Sequence, residues 1–139
     1  MKILRNIKFD YADVQLLDIG VVRIDMLSNH IIDLEEAVQM NIAQGELLKW
    51  EPGLVLMVAG STTQFTSDAR DFSASREGLR FSIAEAMLVK NLAQRIIVSF
   101  YLKINKPAKP SKAFNTEEDA INWLLSLKQA KTVETEVLK

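Results

Sequence analysis

Side chains suited to chemistry or to covalent modification crowd one stretch of the chain, residues 61–77. Its hydroxyl-bearing and charged members include Ser61, Thr62, Thr63, Ser67, Asp68, Arg70, Asp71, Ser73, Ser75, Arg76 and Glu77. A hydroxyl at the start of a helix can accept a phosphoryl group, and the added negative charge then changes the surface that a partner protein meets. Helix capping and solvation of a loop also account for these residues. The stretch is therefore either a site of modification or an ordinary capped loop.

Other residue types that support catalysis are scarce. The chain has no cysteine, which excludes thiol catalysis, zinc–thiolate sites, iron–sulfur ligation and disulfides. His30 is the single histidine, so a metal site or a Ser-His-Asp relay would depend on it alone. The five glycines form no phosphate-binding loop. We therefore predict that the protein is not an enzyme and has no metal or cofactor, with a metal-independent carboxylate chemistry left open.

Four lysines recur at every third position, namely Lys103, Lys106, Lys109 and Lys112. No acidic residue lies among them, a pattern typical of a rim that faces an anion or a phosphate. Alternatively, they solvate an edge strand and its loop and prevent edge-to-edge pairing. The whole chain has a net charge of −1 and a pI near 5.9, and no aromatic pattern accompanies the lysines. We therefore predict no nucleic-acid partner and no overall attraction to anionic lipid.

Aromatic side chains offer a second kind of site. The spacing of four aromatic side chains is compatible with the lining of a cavity for a small apolar or lipid-like ligand, and equally with an ordinary core. They are Phe72, Phe81, Phe100 and Trp123.

The length of 139 residues predicts one domain, residues 1–139, with a core over 13–127 and a polar tail over 128–139 that frays. The first residues lack the pattern of a signal peptide, and no apolar run approaches the roughly 20 residues of a membrane span. We therefore predict a cytoplasmic protein.

The first half of the chain carries clear local signals. Two β-rich runs, 14–17 and 21–26, flank Asp18-Ile19-Gly20 and predict a hairpin. Asp33 and Glu36 have the spacing of a capping box, which predicts a helix that ends near Gly45. The apolar run 54–59 predicts a strand covered on both faces.

The second half is predicted to continue as helix, helix, strand, edge strand and helix. Thr66 or Ser67 is placed to cap a short helix, and Asn115 or Thr116 the last one. The segments between are a helix over 77–93, a strand over 95–104 and an edge strand over 112–114. The resulting order, β-β-α-β-α-α-β-(β)-α, predicts an α/β fold with a single mixed sheet of four to five strands and about four helices.

Two segments, TSDARDFSASREG and RIIVSFYLKINKPAKPSKAFNTEEDAINWL, resemble a group of small bacterial STAS-like proteins of the anti-sigma-factor-antagonist type. The elements that carry the resemblance are Ala69-Arg70-x-Phe72, Asn105-Lys106-Pro107, Pro110, Phe114 and Ala120-x-x-Trp123-Leu124. The resemblance runs from Asp13 to about Leu127. It implies a mixed sheet packed with helices and a regulatory or binding role without catalysis. Related folds include CRAL-TRIO-like lipid binders.

In true antagonists an Asp-Ser-Ser-Gly motif follows the third strand, and a partner kinase phosphorylates a serine within it. By position, the resemblance places residues 66–69 of this chain, Thr-Ser-Asp-Ala, at that motif. Ser67 is then a neighbouring hydroxyl, and Asp68 stands at the usual phosphate-acceptor position. The resemblance therefore implies either a fixed negative charge that mimics the phosphorylated state or a switch that has been lost.

The sequence thus predicts a non-enzymatic protein-interaction module. Its predicted contact or switch surface contains Ser61, Ser67, Asp68 and Arg70. The alternative is a module that binds a small apolar or lipid-like ligand. A protein partner is expected, and exposed sheet edges or apolar helix faces also allow a homodimer.

Overall fold

A six-stranded mixed sheet organises the chain. The computed structural model describes the backbone of residues 1–138 and the side chains of residues 1–128. The strands of this sheet are β1 (Ile3–Lys8), β2 (Ala12–Leu17), β3 (Val21–Met26), β5 (Gly53–Val58), β7 (Ser82–Leu88) and β8 (Ser111–Phe114). Two further strands of two residues each, β4 (Ile31–Ile32) and β6 (Gln64–Phe65), pair with each other outside it.

The sheet has the spatial order β1-β2-β3-β5-β7-β8. The first three strands form an antiparallel meander, and β3, β5, β7 and β8 are parallel to one another. Gly20, with φ of +84°, makes the turn of the predicted hairpin between β2 and β3. The parallel half needs crossover helices, which cover both faces of the sheet.

Four helices cover the sheet, and one of them continues into a π-helical turn. They are α1 (Leu34–Leu47), α2 (Ser67–Ala74), α3 (Leu92–Phe100) with the π-helical turn Tyr101–Asn105, and α4 (Glu117–Leu138). Side chains alternate between the two faces of each strand, so β5 presents Val55 to the core under α1 and Leu54 and Leu56 to the core under α4.

The helix starts predicted near Asp33, Thr66 and Thr116 are confirmed by their caps. Asp33 accepts from the backbone N–H of Glu36 at 2.9 Å, and the Glu36 carboxylate accepts from the N–H of Asp33 at 3.2 Å. These two bonds form the predicted capping box and satisfy N–H groups that have no partner within the helix. Thr66 caps α2 by accepting from the N–H of Ala69, and Thr116 accepts from the N–H of Asp119 at the start of α4.

Two neighbouring segments are interchanged relative to the prediction. Residues 77–93 were predicted as a helix, but Ser82–Leu88 is the strand β7. Residues 95–104 were predicted as a strand, but they lie in α3 and its π-helical turn. Alanine favours helices and isoleucine favours strands in isolation. Burial overrides the first preference in β7, and the helix cap at Asn91 opposes the second in α3. Ala84 and Ala86 are completely buried under α4, so β7 packs on both faces.

The α/β class with a mixed sheet and four helices is confirmed, whereas the predicted four to five strands become six. The difference arises because β1 and β7 are strands and residues 95–104 are not. Within the described residues, no helix is long and apolar enough to cross a membrane. The backbone of α4 is helical to Leu138, residue 139 lies outside the described residues, and the predicted fraying of residues 128–139 stays a prediction.

Candidate functional site

A mostly apolar cavity of about 110 Å³ lies between the sheet and the helices α2 and α3. Its apolar walls are formed by Met26, Met57, Ala59, Phe65, Met87, Leu88, Ile97 and Val98. Concave apolar sites with a few convergent polar groups are where proteins most often bind small molecules. The cavity is therefore the candidate functional site.

A buried carboxyl group, that of Glu85 on β7, opens onto this cavity. Its side chain is only 7% exposed. Ser82 Oγ donates to Glu85 Oε2 at 3.1 Å, and Gln44 Nε2 donates to Ser82 Oγ at 3.0 Å. Burial raises the pKa of Glu85 to about 7, although the hydrogen bond from Ser82 lowers it. The carboxyl group can therefore change its charge near neutral pH.

Two further polar side chains line the same cavity. Tyr101 lies in the π-helical turn, where burial and then the charge of Glu85 raise the pKa of its phenol, so the phenol stays protonated. Arg70 of α2 donates from Nη1 to the backbone carbonyl of Phe65 at 2.6 Å. The cavity thus holds a titratable carboxyl group, a neutral phenol and a guanidinium group that is already hydrogen-bonded.

A second cavity, of about 40 Å³, adjoins the first and shares the side chains of Met57, Phe65, Ser73 and Glu85 with it. Asn41 of α1 lines this smaller space and is 6% exposed. Its Nδ2 donates to the carbonyl of Gly78 at 2.7 Å, but its Oδ1 is buried without a hydrogen-bond partner. An unpaired buried acceptor is destabilising, so Oδ1 is a position where a donor would bind favourably.

The two cavities combine apolar walls with buried polar groups. Apolar walls accept hydrocarbon, while Glu85 and Asn41 present oxygen acceptors. Among the described residues, no group of three or more histidine, cysteine, aspartate or glutamate side chains is placed to hold a metal ion.

The predicted surface residues separate into two groups. Ser67 and Asp68 are exposed in the first turn of α2, directly after its cap Thr66, and Ser61 is exposed in the loop before it. Arg70 is only partly exposed because it lines the cavity. The predicted site is therefore in part a helix start at the surface and in part a wall of the cavity.

The predicted cavity aromatics mostly lie elsewhere. Phe72 lines only the smaller cavity, Phe81 packs against Trp50, and Trp123 packs against Phe114 on the other face of the sheet. His30 bonds through Nε2 to the Glu36 carboxylate at 2.9 Å, next to the start of α1. Because Glu36 also belongs to the capping box, His30 contacts the group that caps the start of α1.

Glu85 is the residue that the sequence analysis missed. The predicted helix over 77–93 placed it on the solvent side, whereas β7 places it inside. The signal was present in the order Ile83-Ala84-Glu85-Ala86-Met87, because alternation puts the carboxylate on one face with two large apolar side chains.

One family of proteins matches most of the chain. Residues 16–128 match a family described as a domain of unknown function, DUF7793. The chain belongs to the DUF7793 family. No curated protein matches it.

The DUF7793 chain is also similar to a solved structure. This is the crystal structure of an uncharacterised protein of the DUF3478 family from Shewanella loihica PV-4, which has a SpoIIAA-like fold. The match covers 81% of this chain and 91% of that one, with 14% identity and a TM-score of 0.53. At this identity the likeness concerns the fold alone. It confirms the STAS-like fold that the sequence resemblance implied.

Proposed function

We propose that this DUF7793 domain is a non-enzymatic regulatory module that binds a small apolar molecule carrying a hydrogen-bond donor. The observation that carries the proposal is an apolar cavity in which the acceptors of Glu85 and Asn41 are buried.

The size of the cavity limits the apolar part of the ligand. An apolar protein cavity of about 150 Å³ admits benzene. The larger cavity here, about 110 Å³, together with the adjoining 40 Å³, suits one ring or a short branched chain. Each methylene group that leaves water for such a site contributes about 0.8 kcal/mol.

The polar groups determine which head group such a ligand carries. Asn41 Oδ1 lacks a hydrogen-bond partner. Glu85 offers a carboxyl group whose pKa is about 7, so the group is ionised at higher pH. A hydroxyl or ammonium group would satisfy these acceptors, and an ammonium group would also compensate the carboxylate charge. A ligand carboxylate would instead meet a buried like charge at high pH.

Four ring compounds test the proposal: toluene, benzyl alcohol, benzylamine and benzoate. At pH 8 we expect benzylamine and benzyl alcohol to bind at least tenfold more tightly than toluene, and benzoate most weakly. Two-dimensional NMR titration would measure the affinities and locate the shifts at β7 and α3. Failure of every compound to bind would contradict ligand binding. Tightest binding by benzoate would contradict the head-group assignment and indicate Arg70 as the determinant.

Filling the cavity is expected to abolish binding. Ser73 of α2 lines both cavities, so Ser73→Leu replaces one hydroxyl oxygen with three carbon atoms where the ligand would lie. We expect at least a tenfold loss of affinity for the best ring compound in the same NMR titration. Ser67→Leu makes the same exchange on the exposed start of the same helix and serves as the control. Equal affinities for the two variants would exclude this cavity as the site.

Contact with a partner protein at the start of α2 is the second candidate. Ser67 and Asp68 are exposed there, and the nearby Leu27 and Ile31 are 56% and 58% exposed. The two apolar residues are joined to this region, since Thr63 donates to the carbonyl of Leu27 and Ile31 pairs with Gln64. An apolar patch rimmed by charge is typical of an interaction surface. The resemblance to anti-sigma-factor antagonists favours the same position.

Reversal of the charge at this surface is expected to remove a partner that binds there. In quantitative pull-downs from a cell lysate, Asp68→Lys should reduce capture of such a protein at least tenfold. Glu46→Lys reverses an exposed charge near the end of α1 and is the control. An identical set of captured proteins for the wild type and both variants would contradict this candidate.

A further inference from the structure

The helix α3 exposes large apolar side chains along one stripe. The exposed fractions are 71% for Leu92, 61% for Ile96, 54% for Phe100 and 62% for Ile104, and Ile97 beside them is 52% exposed. The first four occur at every fourth position, which places them in line along a helical surface. We call these five side chains the α3 stripe.

The opposite side of this helix is already packed and anchored. Val98 and Tyr101 face the cavity. Gln94 Nε2 donates to the carbonyl of Gly60 at 2.9 Å, and Asn105 Nδ2 donates to Asp71 Oδ1 at 2.8 Å. The α3 stripe therefore lies on a helix held at both ends, and it is an apolar surface that the rest of the described chain leaves uncovered.

Charge is strongly segregated around this stripe. The chain has 17 lysine and arginine residues and 18 acidic ones, yet residues 86–116 contain six of the cations and no acidic residue. The rest of the chain therefore carries a net charge of −7. The small net charge of the whole chain conceals this separation, which is why composition alone predicted no attraction to an anionic surface.

Five of these cations lie within α3 or its π-helical turn, or close to either end of them in the sequence. They are Lys90 before α3, Arg95 within it, Lys103 in the π-helical turn, and Lys106 and Lys109 just after it, all of them exposed. In the part of the chain whose side chains are described, the ion pairs involve Arg23 and His30 and none of these five. Their charge is thus available to an external anion.

We propose that the α3 stripe lies on the surface of a membrane that contains anionic lipids. The apolar side chains would enter the boundary between head groups and acyl chains, and the surrounding cations would contact lipid phosphates. The inference concerns peripheral attachment, and it is independent of the ligand proposed for the cavity.

Charge complementarity favours this occupant over a second copy of the chain. Two copies joined symmetrically through the α3 stripe would bring the five cations of each against those of the other. An anionic bilayer offers negative charge over a continuous plane and an apolar layer directly beneath it. Both features of the stripe are then used together.

Sedimentation with vesicles tests the proposal. The intact chain would be mixed with vesicles of phosphatidylcholine alone or of phosphatidylcholine and phosphatidylglycerol at a 7:3 ratio. We expect at least tenfold tighter binding to the mixed vesicles, and loss of most of that difference at 0.5 M salt. Ile96→Ser combined with Phe100→Ser should reduce binding at least tenfold. Leu4→Ser, at a position on β1 that is 56% exposed, is the matched control.

The contrary results are equally definite. Absence of binding to the mixed vesicles, or unchanged binding of the Ile96→Ser and Phe100→Ser variant, would overturn the proposal. Equal affinity for both kinds of vesicle would overturn the role of the cations. A dimer in light scattering that this variant abolishes, without vesicle binding by the wild type, would assign the stripe to a second copy. Unaltered circular dichroism would verify that the variants fold.

Discussion

Glu85→Gln is expected to stabilise the fold at and above neutral pH and to flatten its dependence on pH. The pKa of Glu85 is raised from 4.5 to about 7 in the folded chain, chiefly by burial. Below pH 4.5 the carboxyl group is protonated in both states and its burial costs no ionisation energy. As the pH rises from 4.5 through 7, the unfolded chain releases the proton first, so the folded state loses stability.

The expected size of this effect follows from the shift. A raised pKa of this extent corresponds to about 3 kcal/mol of unfolding free energy lost between pH 4.5 and 8. Glutamine is uncharged throughout, so the stability of Glu85→Gln relative to the wild type should increase by about that amount over this range. Urea denaturation at several pH values would measure it.

A matched control separates this effect from a general loss of charge. Glu77→Gln makes the same exchange at an exposed position in the turn before β7. Its stability should follow the wild type at every pH. Parallel curves for Glu85→Gln and the wild type would mean that Glu85 is solvated in the folded chain, and the head-group argument for the cavity would fail with it.

Gly78→Ala is expected to destabilise the fold by about 3 kcal/mol or more, because the added methyl group meets backbone rather than a mobile side chain. A Cβ at this position would overlap the carbonyl oxygen of Phe72 and lie 2.8 Å from its carbonyl carbon. Gly78 also accepts from Asn41 and donates its N–H to Ser75 Oγ at 3.0 Å, so its backbone cannot move without breaking both bonds.

Gly53→Ala provides the control for this substitution. There the added Cβ would meet only the side chain of Leu48, at 2.7 Å from its Cδ2 atom, and that side chain can change rotamer. Urea denaturation should therefore give a clearly smaller loss for Gly53→Ala. Equal losses would indicate that the backbone near Phe72 adjusts easily.

Local signals were sufficient for much of the fold. The hairpin, the capping box at Asp33, the short helix after Thr66 and the apolar strand β5 all depend on residues close together in sequence. The edge strand β8 and the start of α4 were predicted for the same reason. These elements place Ser67 and Asp68 at an exposed helix start, as predicted from the sequence.

Burial by distant segments was the information that the sequence did not provide. The segment Ser82–Leu88 is rich in alanine and looks helical, yet it is a strand paired between β5 and β8, under α4. The β-branched residues of α3 look like a strand, yet Asn91 caps a helix there by accepting from the N–H of Gln94 at 2.8 Å. With these two elements interchanged, neither the buried Glu85 nor the α3 stripe was recognisable.

Ile97 belongs both to the α3 stripe and to the wall of the cavity. A single helix thus separates the interior site from the outer surface, with no second layer between them. If filling the cavity displaces α3, occupancy inside and attachment outside become linked equilibria. Linkage then requires reciprocity: the factor by which a ligand changes affinity for a bilayer equals the factor by which the bilayer changes affinity for the ligand.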